Sequence, residues 1–277
     1  MLTYNRRLGG QQTLHSWSLD GSSEDDEQPA PLPSQQSELP AGVARQEHYR
    51  REYQRRRPRW RDSTSIYRKM LAAHVSPESK VLDIGCGHAD FLASEYTISP
   101  HIYGLDPDAQ ALARNPVIQH PVVGTVEKIP MPDQFFDLAC MAWVAEHLEH
   151  PDEAAQEIHR VLRPGGRLLF LTPNAWNYNT WLVRGVPNRY HEFFTRRLYG
   201  RQERDTYPVR YRLNTETKIE RVMHAANLKK VCLLRNGDPS YISFNQTLFT
   251  MATGLETLLA LPWLRRAQVH IIALYQR

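Results

Sequence analysis

The stretch VLDIGCGHADF, residues 81–91, constrains this chain more than any other. A short apolar run carrying Asp83 leads into Gly85 and Gly87, one residue apart, and a helix-forming segment follows. A buried strand that ends in a glycine turn and opens onto a helix lets a ligand come close to bare backbone N–H groups, because glycine has no Cβ in the way. About twenty residues later a second strand ends in Asp106, the place from which a carboxylate accepts hydrogen bonds from a ribose. The pair reads as a nucleoside-cofactor site.

The surrounding pattern supplies a scaffold for such a site. Strands are predicted at residues 80–84, 101–105, 122–123, 137–141 and 167–172, and helices near 90–96, 108–114 and 151–162. In the last helix Ala154, Ile158, Val161 and Leu162 form an apolar stripe, Asp152 sits in the first turn, and Gly165 with Gly166 is expected to stop it. Thr215 can cap a helix running to Ala226, with Asn227 suited to the left-handed position after it. A strand at 230–234, an amphipathic helix within 248–264 and a strand at 269–275 complete the chain. Such alternation calls for an α/β fold: a doubly wound, mostly parallel seven-stranded sheet with helices on both faces.

Composition divides the chain. Residues 1–44 carry an acidic run and the segment QPAPLPSQQSELP, a mixture too poor in apolar surface to fold alone, and a disordered tail is expected there. Residues 45–277 are expected to form the folded part: N-terminal helices at 45–75, a cofactor-binding core at 80–172, an aromatic-rich insertion at 173–213 acting as a substrate lid, and C-terminal strands and helices at 214–277. Residues 41–61 hold eight arginines against two glutamates, whereas residues 1–40 hold two arginines against six acids. The basic segment suits a solvated helix face, or contact with nucleic acid or anionic lipid. Tyr49 and Tyr53, four apart, share one face of its helix. The three cysteines, Cys86, Cys140 and Cys232, offer neither metal-ligand spacing nor a disulfide framework, which points to a cytoplasmic protein without a metal site. The apolar stretch at 248–264 is too short and too interrupted for a membrane span and reads first as a helix over the core, second as an interfacial membrane contact.

The glycine pattern alone does not choose the cofactor. A nicotinamide fingerprint needs a third small residue where this chain has Asp90, so a dinucleotide is disfavoured. Five ordered blocks then matter together: LDIGCG (82–87), GLDPD (104–108), ALARNP (111–116), GTVEKIPMPDQFFD (124–137) and VAEHLEHPDEAAQEIHRVLRPGGRLLFLTPN (144–174). In these the chain resembles the class I S-adenosylmethionine-dependent methyltransferases, in particular the small-molecule group that includes ubiquinone-biosynthesis enzymes. The resemblance covers about a third of the chain and implies S-adenosylmethionine as cofactor. It also implies roles. Gly85, Cys86 and Gly87 form the turn that approaches the methionyl part, and Asp83 orients that turn or the cofactor's ammonium. Asp106 holds the ribose hydroxyls and Pro107 lies beside the adenine. Thr125, Val126 and Glu127 flank the adenine edge, while Met141 and Ala142 face the methionyl end. The family often has Gly where this chain has Ala89, and Asp where it has Thr125; a threonine hydroxyl bonds an adenine amino group without charge assistance.

Methyl transfer needs the acceptor held close, aligned and desolvated, and a base only where a proton must leave. His147, just after the fourth strand of the core, and His191, in the insertion, are the candidate bases. A small-molecule acceptor methylated on oxygen is the first expectation. Its rivals are a nucleic-acid methyltransferase using the basic segment 45–61, and a non-catalytic module that keeps the cofactor site.

Overall fold

The structure, a computed structural model, describes residues 2–8, 11–17, 41–88, 91–178 and 208–277. Strands β1 (Leu2–Leu8) and β2 (Gln11–Trp17) pair with each other as an antiparallel ribbon, with Leu8 opposite Gln11. The Pro- and Gln-rich remainder of the tail lies outside the described residues. Helix α1 (Ala41–Arg56) starts before the expected boundary, and α2 (Ser63–Ala72) follows, capped by Asp62 through the Ser65 N–H at 3.0 Å.

The central sheet then builds up from β3 (Val81–Ile84), α3 (Ala93–Tyr96), β4 (Ile102–Asp106), α4 (Ala109–Arg114), β5 (His120–Val123), β6 (Phe136–Ala142), α5 (Pro151–Val161) and β7 (Leu162–Pro173). After the insertion come α6 (Glu216–Ala225), β8 (Lys229–Asn236), α7 (Gln246–Leu259) and β9 (His270–Gln276). The strand order is β5-β4-β3-β6-β7-β9-β8, with β9 antiparallel to both neighbours and the others parallel. This is the expected seven-stranded, mostly parallel, doubly wound sheet. The order reverses between β3 and β6, so the crevice beyond the carboxyl ends of those two strands is where an open α/β sheet binds its ligand.

Alternating side chains feed two cores. In β7, Leu168 and Phe170 join Ala154 and Ile158 of α5 and Ile219, Val222 and Met223 of α6 on one face. Leu169 and Leu171 join Tyr67 and Leu71 of α2 and Tyr96 of α3 on the other. A third cluster, Tyr49, Tyr53 and Phe249 with Trp60 against them, joins α1 to α7, so the tyrosine pair packs against another helix. Thr215 caps α6 as expected, and Asn227 takes the left-handed conformation at φ 57°. Helix α5 ends at Val161, one residue before the expected end, where Leu162 already pairs with Phe136 and Pro164 disfavours helical backbone in Arg163. Among the described residues no helix is long and apolar enough to cross a membrane.

Candidate functional site

Strand β3 ends in two glycines of left-handed conformation, Gly85 at φ 69° and Gly87 at φ 52°. They do different work. The Gly85 N–H donates to the Leu105 carbonyl at 2.7 Å, and a Cβ there would lie 2.4 Å from Cγ2 of Val144. At Gly87 a Cβ would meet nothing within 4 Å, so the turn presents open space on its ligand side. Gly85→Ala is therefore expected to lower stability by more than the ~1–2 kcal/mol of left-handed strain alone. Gly87→Ala should cost about that strain and otherwise act on cofactor affinity. Denaturant melts and ligand titration of the two variants check the division.

Asp106 closes the site from β4. It is buried, with Oδ2 accepting the Gly87 N–H at 2.9 Å and Oδ1 accepting the Asp108 N–H at 2.9 Å. Its carbonyl also accepts from the Gly124 N–H at 3.2 Å, which ties the end of β5 to the same point. A carboxylate has about four lone-pair sites, so with two used it can still accept from a vicinal diol. Asn115 braces the turn: Nδ2 donates to the Gly87 carbonyl at 3.0 Å, while Oδ1 accepts from Val117 N–H at 3.0 Å. Sequence reasoning passed over Asn115; the Asn-Pro pair closing α4 was the available signal. Cys86 is buried where Gly104 lets its Sγ approach, so its side chain packs inward.

Asp83 lies beneath the turn, buried with Tyr67, Tyr96 and Cys140. Cys140 Sγ donates to its Oδ1 at 3.7 Å, and the Tyr96 hydroxyl meets Cys140 Sγ at 3.2 Å. Burial pushes the Asp83 carboxyl up to about 7, against the opposing hydrogen bonds from Tyr96 and Cys140. The folded state thus holds this proton more tightly than the unfolded chain. Asp83 makes stability fall, by roughly 1.4 kcal/mol per pH unit, as pH rises from its ordinary value near 3.8 to about 7, and level off above. Asp83→Asn is expected to gain stability relative to the parent on going from pH 5 to pH 8, measured by urea unfolding at both.

The remaining expected residues divide by exposure. Pro107 and Thr125 are exposed, Val126 is buried, and Glu127 and Ala142 are half-buried. A Thr125–Lys128 bridge shapes the loop after β5. Met141 is wholly buried in the core face shared with Ile84 and Phe170, so its side chain serves packing. Trp143, at φ 61°, follows it at the strand end. His147 is half-buried, and its Nδ1 lies 3.2 Å from the Pro208 carbonyl, which fixes the proton on that nitrogen. His191 lies outside the described residues.

A second polar group at this end of the sheet was not foreseen. His270 opens β9 opposite Pro173 of β7 and Asn236 of β8, and its ring meets Trp143 edge-on at 5.0 Å. Its Nδ1 is 2.9 Å from Ser63 Oγ and its Nε2 is 3.0 Å from the Tyr241 hydroxyl. Burial brings its pKa down to about 4. Nearby, Asp238 accepts from Arg50 Nε at 2.8 Å, and Glu256 accepts from the Tyr178 hydroxyl at 2.8 Å. These contacts fasten α1 and α7 across the carboxyl ends of the sheet, beside the crevice.

A family model described as a methyltransferase domain matches residues 82–170, the span that holds the glycine turn, Asp106 and β6. Over these residues the chain is similar to methyltransferase domains. The ubiquinone/menaquinone biosynthesis C-methyltransferase of Cupriavidus metallidurans is 33% identical over 109 residues, 36% of this chain and 45% of that protein. The demethylmenaquinone methyltransferase of Lactiplantibacillus plantarum is 33% identical over 124 residues, 40% of this chain and 50% of that protein. The chain thus spans about half the length of these curated relatives. Among solved structures, geranyl diphosphate C-methyltransferase from Streptomyces coelicolor, bound to Mg2+, geranyl diphosphate and S-adenosyl-L-homocysteine, superposes with a TM-score of 0.51 at 13% identity, over 77% of each chain. A methyltransferase from Thermotoga maritima gives 0.51 at 16% identity, over 83% of this chain and 99% of that one. At these identities the two structures speak for the methyltransferase fold alone.

Proposed function

We propose that this protein transfers the methyl group of S-adenosylmethionine to a small-molecule acceptor at an oxygen atom. One observation carries the cofactor half: the Asp106 carboxylate bridges the Gly87 and Asp108 amides beside the open space over Gly87. In this reading Gly85, Cys86 and Gly87 form the backbone cradle of the methionyl part and Asp83 sets its shape from below. Asp106 accepts from the ribose hydroxyls. Pro107, Thr125, Val126 and Glu127 border the adenine, and Met141 and Ala142 end the strand beside the methionyl group.

The bound cofactor supplies an activated methyl group, displaced in line onto the acceptor. The chain's own share is positioning, exclusion of water and removal of one proton from the acceptor hydroxyl. His147, whose Nδ1 lies 3.2 Å from the Pro208 carbonyl, is the residue this reading assigns to take it. Trp143, half-buried at the end of β6, offers an aromatic wall for a flat or partly apolar acceptor.

Methylation at carbon is a second reading, favoured by the C-methyltransferase named among the relatives. A phenolate serves both, since loss of one proton activates its oxygen and its ring carbons. The test is transfer of isotope-labelled methyl to a panel of phenols and aliphatic alcohols, with the product's new bond assigned by NMR. A methoxy signal supports the first reading and a ring methyl the second. Transfer to RNA but to none of the panel would overturn both.

A further inference from the structure

Helix α7 has an outer face unlike that of an ordinary surface helix. Its buried stripe is Phe249, Ala252, Glu256 and Leu259, so its one charged residue points inward. The adjoining face carries Leu248, Met251, Leu255 and Leu258 at helical spacing, and Leu261 and Trp263 extend it. Met251 is 66% exposed, Leu258 56% and Trp263 74%. A helix turned toward water normally carries charged residues there, and a contiguous apolar patch marks a docking surface.

The edges of this face are cationic. The end of α1 lies along α7: Arg57 donates to Thr257 Oγ1 at 2.7 Å, and the Arg56 guanidinium sits 4.7 Å from the Phe249 ring centroid. Arg55, Arg59 and Arg61, which follow one another closely along the chain from the end of α1, are exposed, and Arg265 and Arg266 are exposed just past Trp263. An apolar stripe with leucine, methionine and an exposed tryptophan, with arginines of α1 against its helix and two more just past its end, fits the boundary between acyl chains and anionic headgroups. The excess of exposed arginine beside an apolar stripe complements an anionic lipid surface.

We propose that this face, the outer side of α7 with Trp263 and the flanking arginines, seats the protein on an anionic lipid bilayer. The inference is independent of methyl transfer.

The experiment is flotation of the full chain with vesicles of phosphatidylcholine alone and of phosphatidylcholine mixed with phosphatidylglycerol, alongside light scattering and a single-stranded RNA control. The expected result is binding to the mixed vesicles only, weakened by salt and reduced roughly tenfold or more in Met251→Ser/Leu258→Ser/Trp263→Ser. These side chains are exposed, so thermal unfolding of the triple variant should match the parent. Four results would overturn the proposal: no vesicle binding, vesicle binding indifferent to the triple variant, a dimer that the triple variant dissociates, or retention of RNA without retention of vesicles.

Discussion

Replacing Asp106 by alanine is expected to lower affinity for S-adenosylmethionine by about 10²- to 10⁴-fold. The estimate follows from two ribose hydroxyls, each donating to a charged acceptor in a bond worth roughly 1.5–3 kcal/mol. The same change strips the Gly87 and Asp108 N–H groups of their acceptor, so the turn itself loses its brace on the β4 side. Asn115 still holds the Gly87 carbonyl, which limits the damage to the fold. Calorimetric titration beside a denaturant melt separates the two effects. Asp106→Asn is the informative partner: it keeps one acceptor oxygen and loses the charge, and its affinity should fall between parent and alanine. Parent-like affinity in Asp106→Ala would remove the ribose assignment.

The second large effect is expected at His147. If its Nε2 takes the acceptor proton, His147→Ala should lower kcat by about 10²- to 10⁴-fold while leaving cofactor affinity near that of the parent. A merely structural histidine would also lose activity through its contact with the Pro208 carbonyl, which anchors the end of the insertion. Acceptor acidity distinguishes the cases. A phenol already ionised at the assay pH has no proton to give up, so the variant should recover most of the parent rate on it. An equal deficit on ionised and neutral acceptors would assign His147 to positioning alone.

The middle of the sheet was legible because β3, β4 and β6 are buried on both faces and read as short apolar runs bounded by turns. A helix start with a polar cap was legible for the same local reason, as Thr215 shows. In the site, Asp106 and the glycines could be found because their spacing is local and their chemistry specific. The brace from Asn115 spans 28 residues to Gly87, and the Ser63–His270 contact spans 207. Neither has a local periodicity, so only the fold brings the partners together. The α7 face lay between: its apolarity was plain in the sequence, but the arginines of α1 come beside it only through tertiary packing.

The most direct test of the methyltransferase reading is calorimetric titration of the full chain with S-adenosylmethionine, S-adenosyl-L-homocysteine and NAD. The structure predicts binding of both sulfur nucleosides at about micromolar affinity and none of NAD. Failure of both to bind, or binding of NAD in their place, would contradict it.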